Sequence, residues 1–177
     1  TYGTGELVRA ALDAGASTII LGIGGSATND GGTGFARALG AKFLDASGKD
    51  IPPGGAALAN LASIDLSGLD PRLKNTPIRV ACDVDNPLCG PRGASAVFGP
   101  QKGATPAMVQ QLDAALAVFA EAAVKATGKT EVAETAGAGA AGGLGGGWRD
   151  FTGATLLPGG TRVPKARPVV EPGDKED

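Results

Sequence analysis

Histidine is absent from all 177 residues. Its absence removes the Ser-His-Asp and Cys-His arrangements, together with every zinc site built on an imidazole ligand. Tryptophan, tyrosine and methionine occur once each and aromatics make up 4% of the chain, so the core must be assembled from alanine, valine, isoleucine and leucine. Cysteine is scarce as well, with Cys82 and Cys89 the two present. Two thiols in an alanine- and glycine-rich chain read as free thiols of a reducing compartment, not as a disulfide framework. A large charge of one sign is also lacking: 16 Lys and Arg stand against 18 Asp and Glu, for a net charge of −2. No basic stripe interleaves with aromatics, so neither nucleic acid nor membrane is an expected partner. No apolar run approaches the roughly 20 residues of a membrane span and no leader pattern is read, which makes a cytoplasmic location the expectation. The chain opens on Thr1-Tyr2-Gly3 and reads as a piece of something longer.

Glycine is what the chain has in excess, with 30 residues crowded into a few runs. The densest is Gly22-Ile23-Gly24-Gly25-Ser26-Ala27-Thr28-Asn29-Asp30-Gly31-Gly32-Thr33-Gly34. It follows an apolar stretch at 17–23 that is contiguous instead of alternating, the pattern of a buried strand in a parallel or central position. A strand that empties into glycine leaves backbone N–H groups uncovered, as a bound phosphate or carboxylate requires. The remaining pattern alternates helix and strand, giving an α/β class. Helices are expected at 5–14, capped by Thr4 and closed by Gly15, and at 35–40. The longest is expected at 107–126, announced by Thr105-Pro106 and presenting Leu112, Leu116, Phe119, Ala123 and Ala126 on one face. Strands are expected at 42–45 and 78–84, and a loop-rich stretch at 51–77 with an amphipathic fragment near 58–64. The 161–177 end, rich in proline and charge, reads as disordered.

Four motifs carry candidate chemistry. The 22–34 run fits the dinucleotide fingerprint through Gly22, Gly24 and Ala27, with Asp45 at the end of a later strand as the acidic partner, which would make a nicotinamide-dependent oxidoreductase. Against that, Thr28 to Gly32 keeps the chain open where the fingerprint needs a helix. A Walker-type loop fails because no Gly-Lys-Ser/Thr follows. An anion site of another kind would use Ser26, Thr28, Asn29 and Asp30 as polar contacts, and a tight packing turn would need no ligand at all. Asp83-Val84-Asp85-Asn86 places two carboxylates on one side of a continuing strand. Such a group suits a hard cation such as Mg²⁺, or a proton taken from a substrate hydroxyl, but also a simple Asp-Asn-Pro turn. Pro87 and Leu88 rule out an EF-hand. Lys102, just before the long helix, could meet an anion or simply be solvated. The 137–147 glycine cluster reads as a linker or close-packing segment. A non-catalytic small-molecule binding domain also fits these features.

Several of these segments recur in a known order: Thr1-Tyr2-Gly3-Thr4-Gly5-Glu6, the 22–34 run, Ala81-Cys82-Asp83-Val84-Asp85-Asn86-Pro87-Leu88, Gly93-Ala94-Ser95-Ala96-Val97-Phe98-Gly99-Pro100-Gln101-Lys102-Gly103-Ala104 and Gly139-Ala140-Ala141-Gly142-Gly143. Together they resemble the bacterial glycerate kinase family, type I, from Thr1 to about residue 159. The resemblance implies an ATP- and Mg²⁺-dependent kinase that converts D-glycerate to 2-phosphoglycerate, with 3-phosphoglycerate the alternative product. It also implies two α/β domains with the active site between them. Residues 1–160 would be mainly the inserted domain, a mixed sheet with flanking helices, and 161–177 a tail unlike the family. The second domain is missing, and activity is not expected of the fragment alone. In this reading Asp83 and Asp85, with Asn86, hold Mg²⁺ or orient the attacking hydroxyl. Gly24, Gly25, Ser26 and Lys102 steady the glycerate carboxylate or the nucleotide phosphates. Which acid is the base, and which ligand the glycine loop meets, stay open.

Overall fold

A computed structural model describes residues 1–130 and 135–158 of the chain, so the tail expected at 161–177 lies outside the described residues. The elements in order are helix α1 (Tyr2–Asp13), strand β1 (Ile19–Gly22), α2 (Thr33–Ala38), β2 (Lys42–Leu44), β3 (Ser63–Asp65), β4 (Ile78–Cys82), α3 (Ala94–Phe98), α4 (Pro106–Thr127), α5 (Ala140–Thr152) and β5 (Thr155–Pro158). Short 3₁₀ turns at Gly55–Asn60, Pro71–Lys74 and Pro100–Lys102 complete the connections.

The sheet that organises the site is parallel. Its order is β1-β4-β5, and Gly22 of β1 lies opposite Ala81 of β4. The contiguous apolar run at β1 anticipates a parallel strand, although β1 sits on the outside of the three, and β4 holds the centre. β4 is shorter than 78–84 because the chain leaves the ladder after Cys82. β2 and β3 form a separate antiparallel pair with Phe43 opposite Ile64. β3 overlaps the end of the segment read as an amphipathic fragment. Its three residues become a strand through pairing with β2, which no local pattern announces. β5 escapes the sequence reading for the same reason, since its partner is distant β4.

Helix α1 begins at Tyr2, earlier than the expected Thr4 cap, and Gly15 at φ 78° closes it. It buries Gly5, Val8 and Leu12 against α2. Gly5 is needed there because a Cβ would come within 2.6 Å of the Ala38 Cβ, well inside van der Waals contact. α2 starts at Thr33, two residues before the expected start, because the Thr33 hydroxyl and N–H both bond to the Asp30 carbonyl oxygen.

Helix α4 follows the expectation closely. The Thr105 hydroxyl accepts from the Met108 N–H at 3.3 Å, Pro106 opens the helix, and Gly128 at φ 72° ends it. Its buried face is Ala115, Leu116, Phe119, Ala120, Ala122 and Ala123, while Leu112 is half-buried and Ala126 exposed. The stripe is shifted and widened because α4 packs on β3, α3 and the Gly55–Asn60 turn together. By length and composition α4 is the one described helix apolar enough to cross a membrane, which corrects the expectation of no such run; here one face of it packs into the core. The 137–147 cluster resolves as close packing. It enters α5 through Ala141, Gly142 and Gly143, all left-handed, and the Gly142 carbonyl oxygen accepts from the Gly31 N–H at 2.9 Å.

Candidate active site

Because β1 and β4 run parallel with Gly22 opposite Ala81, their C-terminal exits emerge side by side. That is where open α/β sheets place ligands. A cleft of about 270 Å³ opens there, lined by Gly24, Gly25 and Ser26 after β1, Asp83 and Val84 after β4, Phe98, Gln101, Ala140 and Ala141. The glycines face open space, since a Cβ on Gly24 or Gly25 would meet nothing within 4 Å. A second cleft, of about 370 Å³, shares the Cys82–Val84 wall and adds Asp85, Ala136, Leu156 and Leu157. Asp83 belongs to both, and Asp85 stands beside it in the second.

The sequence candidates divide into those that reach these clefts and those that lie behind them. Gly24, Gly25, Ser26 and Asp83 share one cleft, and Asp83 and Asp85 the other. Asp85 is exposed and meets Arg92 at 3.3 Å, an ion pair of marginal strength at such exposure. Asn86 ties the exit loop down: its Nδ2 donates to the Arg92 carbonyl at 2.8 Å, and its own carbonyl accepts from Gly139 N–H. Asp30 is buried, and its carboxylate accepts from the Thr1 hydroxyl at 2.7 Å and from the Gly32 and Gly34 N–H groups at 3.1 and 3.4 Å. Asn29 Nδ2 donates to the Ser95 hydroxyl at 2.9 Å. The Thr28 carbonyl oxygen accepts from Lys102 Nζ at 2.6 Å. Burial pushes the half-buried Lys102 ammonium below the usual lysine range, and the Asp30 charge pulls the other way.

The dinucleotide alternative does not survive the topology. β2, which leads to Asp45, pairs antiparallel with β3 in another sheet, so Asp45 never comes beside the 22–27 turn as the fingerprint requires. Its carboxylate instead closes a turn, accepting from the Ser47 hydroxyl and from the N–H groups of Ser47 and Lys49. These bonds, the Ser47 hydroxyl foremost, hold Asp45 below the usual carboxylate range.

The sequence matches the glycerate kinase family over residues 1–170. The chain belongs to the glycerate kinase family. It is 65% identical over 145 residues to the glycerate kinase of Bacillus subtilis strain 168, covering 82% of this chain and 38% of that protein. It is 57% identical over 157 residues to the glycerate 2-kinase of Escherichia coli K12, covering 89% of this chain and 41% of that one. Among solved structures it resembles a crystal structure from Salmonella typhimurium LT2, described there as a candidate glycerate kinase 2, with a TM-score of 0.87 and 58% identity. That match covers 89% of this chain and 42% of the other. The chain thus spans about two fifths of the length of the relatives it matches.

Within this glycerate kinase fold, a Mg²⁺ ion would find a partial site. Among the described residues no group of three or more His, Cys, Asp or Glu gathers as ligands. Asp83 and Asp85 on one cleft wall still fit the ion, because Mg²⁺ keeps several waters and is commonly held by one or two carboxylates plus substrate phosphates. Phe98, Gln101, Ala140 and Ala141 were not singled out from sequence. The signal available for them was that Phe98 and Gln101 lie in the Gly93–Ala104 segment, and Ala140 and Ala141 in the Gly139–Gly143 segment, that carry the family resemblance.

The two thiols are free, and Cys89 is far from nucleophilic. Burial pushes its thiol up to about 12, and the Asp113 carboxylate adds to the effect. In the complete enzyme at pH 8, alkylation of Cys89 is expected to be negligible in the native state and rapid in denaturant, read by mass spectrometry of its peptide. Fast native labelling would mean that the thiol is neither buried nor set against Asp113.

Proposed function

We propose that the complete enzyme carrying this segment transfers the terminal phosphoryl group of ATP to the 2-hydroxyl of D-glycerate. The observation that carries the reading is the shared cleft: bare glycine amides and a carboxylate meet at the exits of two adjoining parallel strands. Phosphoryl transfer demands little covalent work from a protein and depends on alignment and on neutralising charge. The cleft supplies both. N–H groups at Gly24, Gly25 and Ser26 hold an anionic group, the glycerate carboxylate or a phosphate. Asp83, common to both clefts, orients the attacking hydroxyl and accepts its proton. Asp83 and Asp85 would hold Mg²⁺, which when bound supplies positive charge to the phosphate oxygens. The rest of the enzyme closes the cleft from the other side, so the isolated segment is expected to be inactive. Membership in the glycerate kinase family and the name of the Escherichia coli relative support the 2-hydroxyl as acceptor.

The test couples ADP release to NADH oxidation, with ATP, Mg²⁺ and D-glycerate, on the complete enzyme and on residues 1–177, and identifies the product by phosphorus NMR. The expected outcome is ADP release and 2-phosphoglycerate from the complete enzyme. 3-Phosphoglycerate would move the acceptor hydroxyl, and no glycerate-dependent ADP would overturn the reading.

A further inference from the structure

Behind the cleft, three segments converge on one backbone atom. Lys102 Nζ donates to the Thr28 carbonyl oxygen at 2.6 Å. On another side of the same oxygen lies Gly142, at φ 72°, where any Cβ would overlap it. Each of these residues is one or two positions past a wall of the cleft. Thr28 follows Ser26, Lys102 follows Gln101, and Gly142 follows Ala141, while Ser26, Gln101 and Ala141 line the cleft itself. The Thr28 oxygen is therefore the node at which the three walls are joined.

We infer that Lys102 is a positioning residue, which acts on the reaction by fixing the Thr28 carbonyl and through it the spacing of the Gly24–Gly25–Ser26 amides, Gln101 and Ala141. A carbonyl in an irregular, half-buried loop needs a donor, and a half-buried ammonium needs acceptors, so the pair satisfies both. The flexible stem of lysine reaches across from the Pro100–Lys102 turn, and the bond spans segments far apart in the chain. Asp30, buried behind the same loop, is the charged group whose field favours the ammonium there. Two further ties brace the node, from Asn29 to Ser95 and from the Gly31 N–H to the Gly142 carbonyl. The first of them reaches the Gln101 wall through α3, whereas Lys102 joins the Thr28 carbonyl to the Pro100–Lys102 turn directly.

The inference rests on the kinase reading for its kinetic readout alone. Lys102→Met in the complete enzyme keeps the stem and removes the ammonium. It is expected to lower kcat/KM for glycerate by about a hundredfold, the scale of a small misplacement of aligned groups. It is also expected to speed amide hydrogen exchange across residues 31–34, whose N–H groups bond to Gly142 and Asp30 directly behind the node, without any ligand, by about threefold or more. Lys102→Arg keeps N–H donors and is expected to retain the exchange protection, so it serves as a second test should the methionine variant fail to fold. A fall in activity with unchanged exchange across 31–34 would assign Lys102 to direct ligand contact and overturn the inference. Loss of protection in the arginine variant, or full activity in the methionine variant, would overturn it too. Were the wild-type enzyme inactive on glycerate, the kinase reading would fall while the exchange measurement still decided the role of Lys102.

Discussion

Asp83→Asn in the complete enzyme is expected to lower kcat by on the order of a hundredfold or more while leaving the fold intact. Asp83 is exposed at the exit of β4 and lines both clefts, so the near-isosteric amide disturbs no packing. Surface changes of this kind usually move stability by no more than about 0.5 kcal/mol. What changes is charge and basicity at the point where, in the proposed reaction, a hydroxyl loses its proton and phosphate charge is held. Removing a group that acts on the transition state costs about 3–4 kcal/mol by comparison with oxyanion donors, which corresponds to the stated rate loss. The check is steady-state kinetics beside thermal unfolding of both proteins. Near-wild-type turnover with an unchanged melting temperature would remove Asp83 from the mechanism.

Phe119→Ala has the largest expected effect on stability, a loss of about 3–5 kcal/mol. The ring is fully buried in α4 and meets Phe151 edge-on with centroids 6.0 Å apart. It also supports the glycine loop from beneath: a Cβ on Gly31 would lie 3.0 Å from two of its ring carbons. A loss of this size is a large share of the roughly 5–15 kcal/mol that holds a typical domain. Met108→Ala on the exposed face of the same helix is expected to cost about 0.5 kcal/mol or less. Urea unfolding of the complete enzyme gives both numbers, and a cost under about 1 kcal/mol at Phe119 would show that the core closes around the gap.

Much of the architecture was legible because it is written locally. Thr105-Pro106 marks the start of α4 through a cap that needs only neighbouring residues, and the contiguous apolar run before Gly22 announces a parallel strand. β3 and β5 were not legible, since three or four residues become strands by pairing with distant partners. The five-residue α3 was likewise hidden in a segment rich in turn residues. The candidate site divides the same way. Glycine amides and paired acids at strand ends could be read from type and spacing, while Asp30 read as a ligand contact in the sequence and stands buried, bonded within its own loop.

Sequence alone determined the kinds of chemistry open to this chain: no histidine, few thiols, bare amides after one strand and two carboxylates after another. Those are properties of residue type and short spacing, and no folding is needed to know them. Tertiary structure decided which of these groups meet. The parallel pairing of β1 with β4 brings Gly24 and Asp83 to one cleft, and the antiparallel pairing of β2 with β3 carries Asp45 away from it. Strand partners are chosen by burial of whole faces across many residues, a sum that no single motif contains.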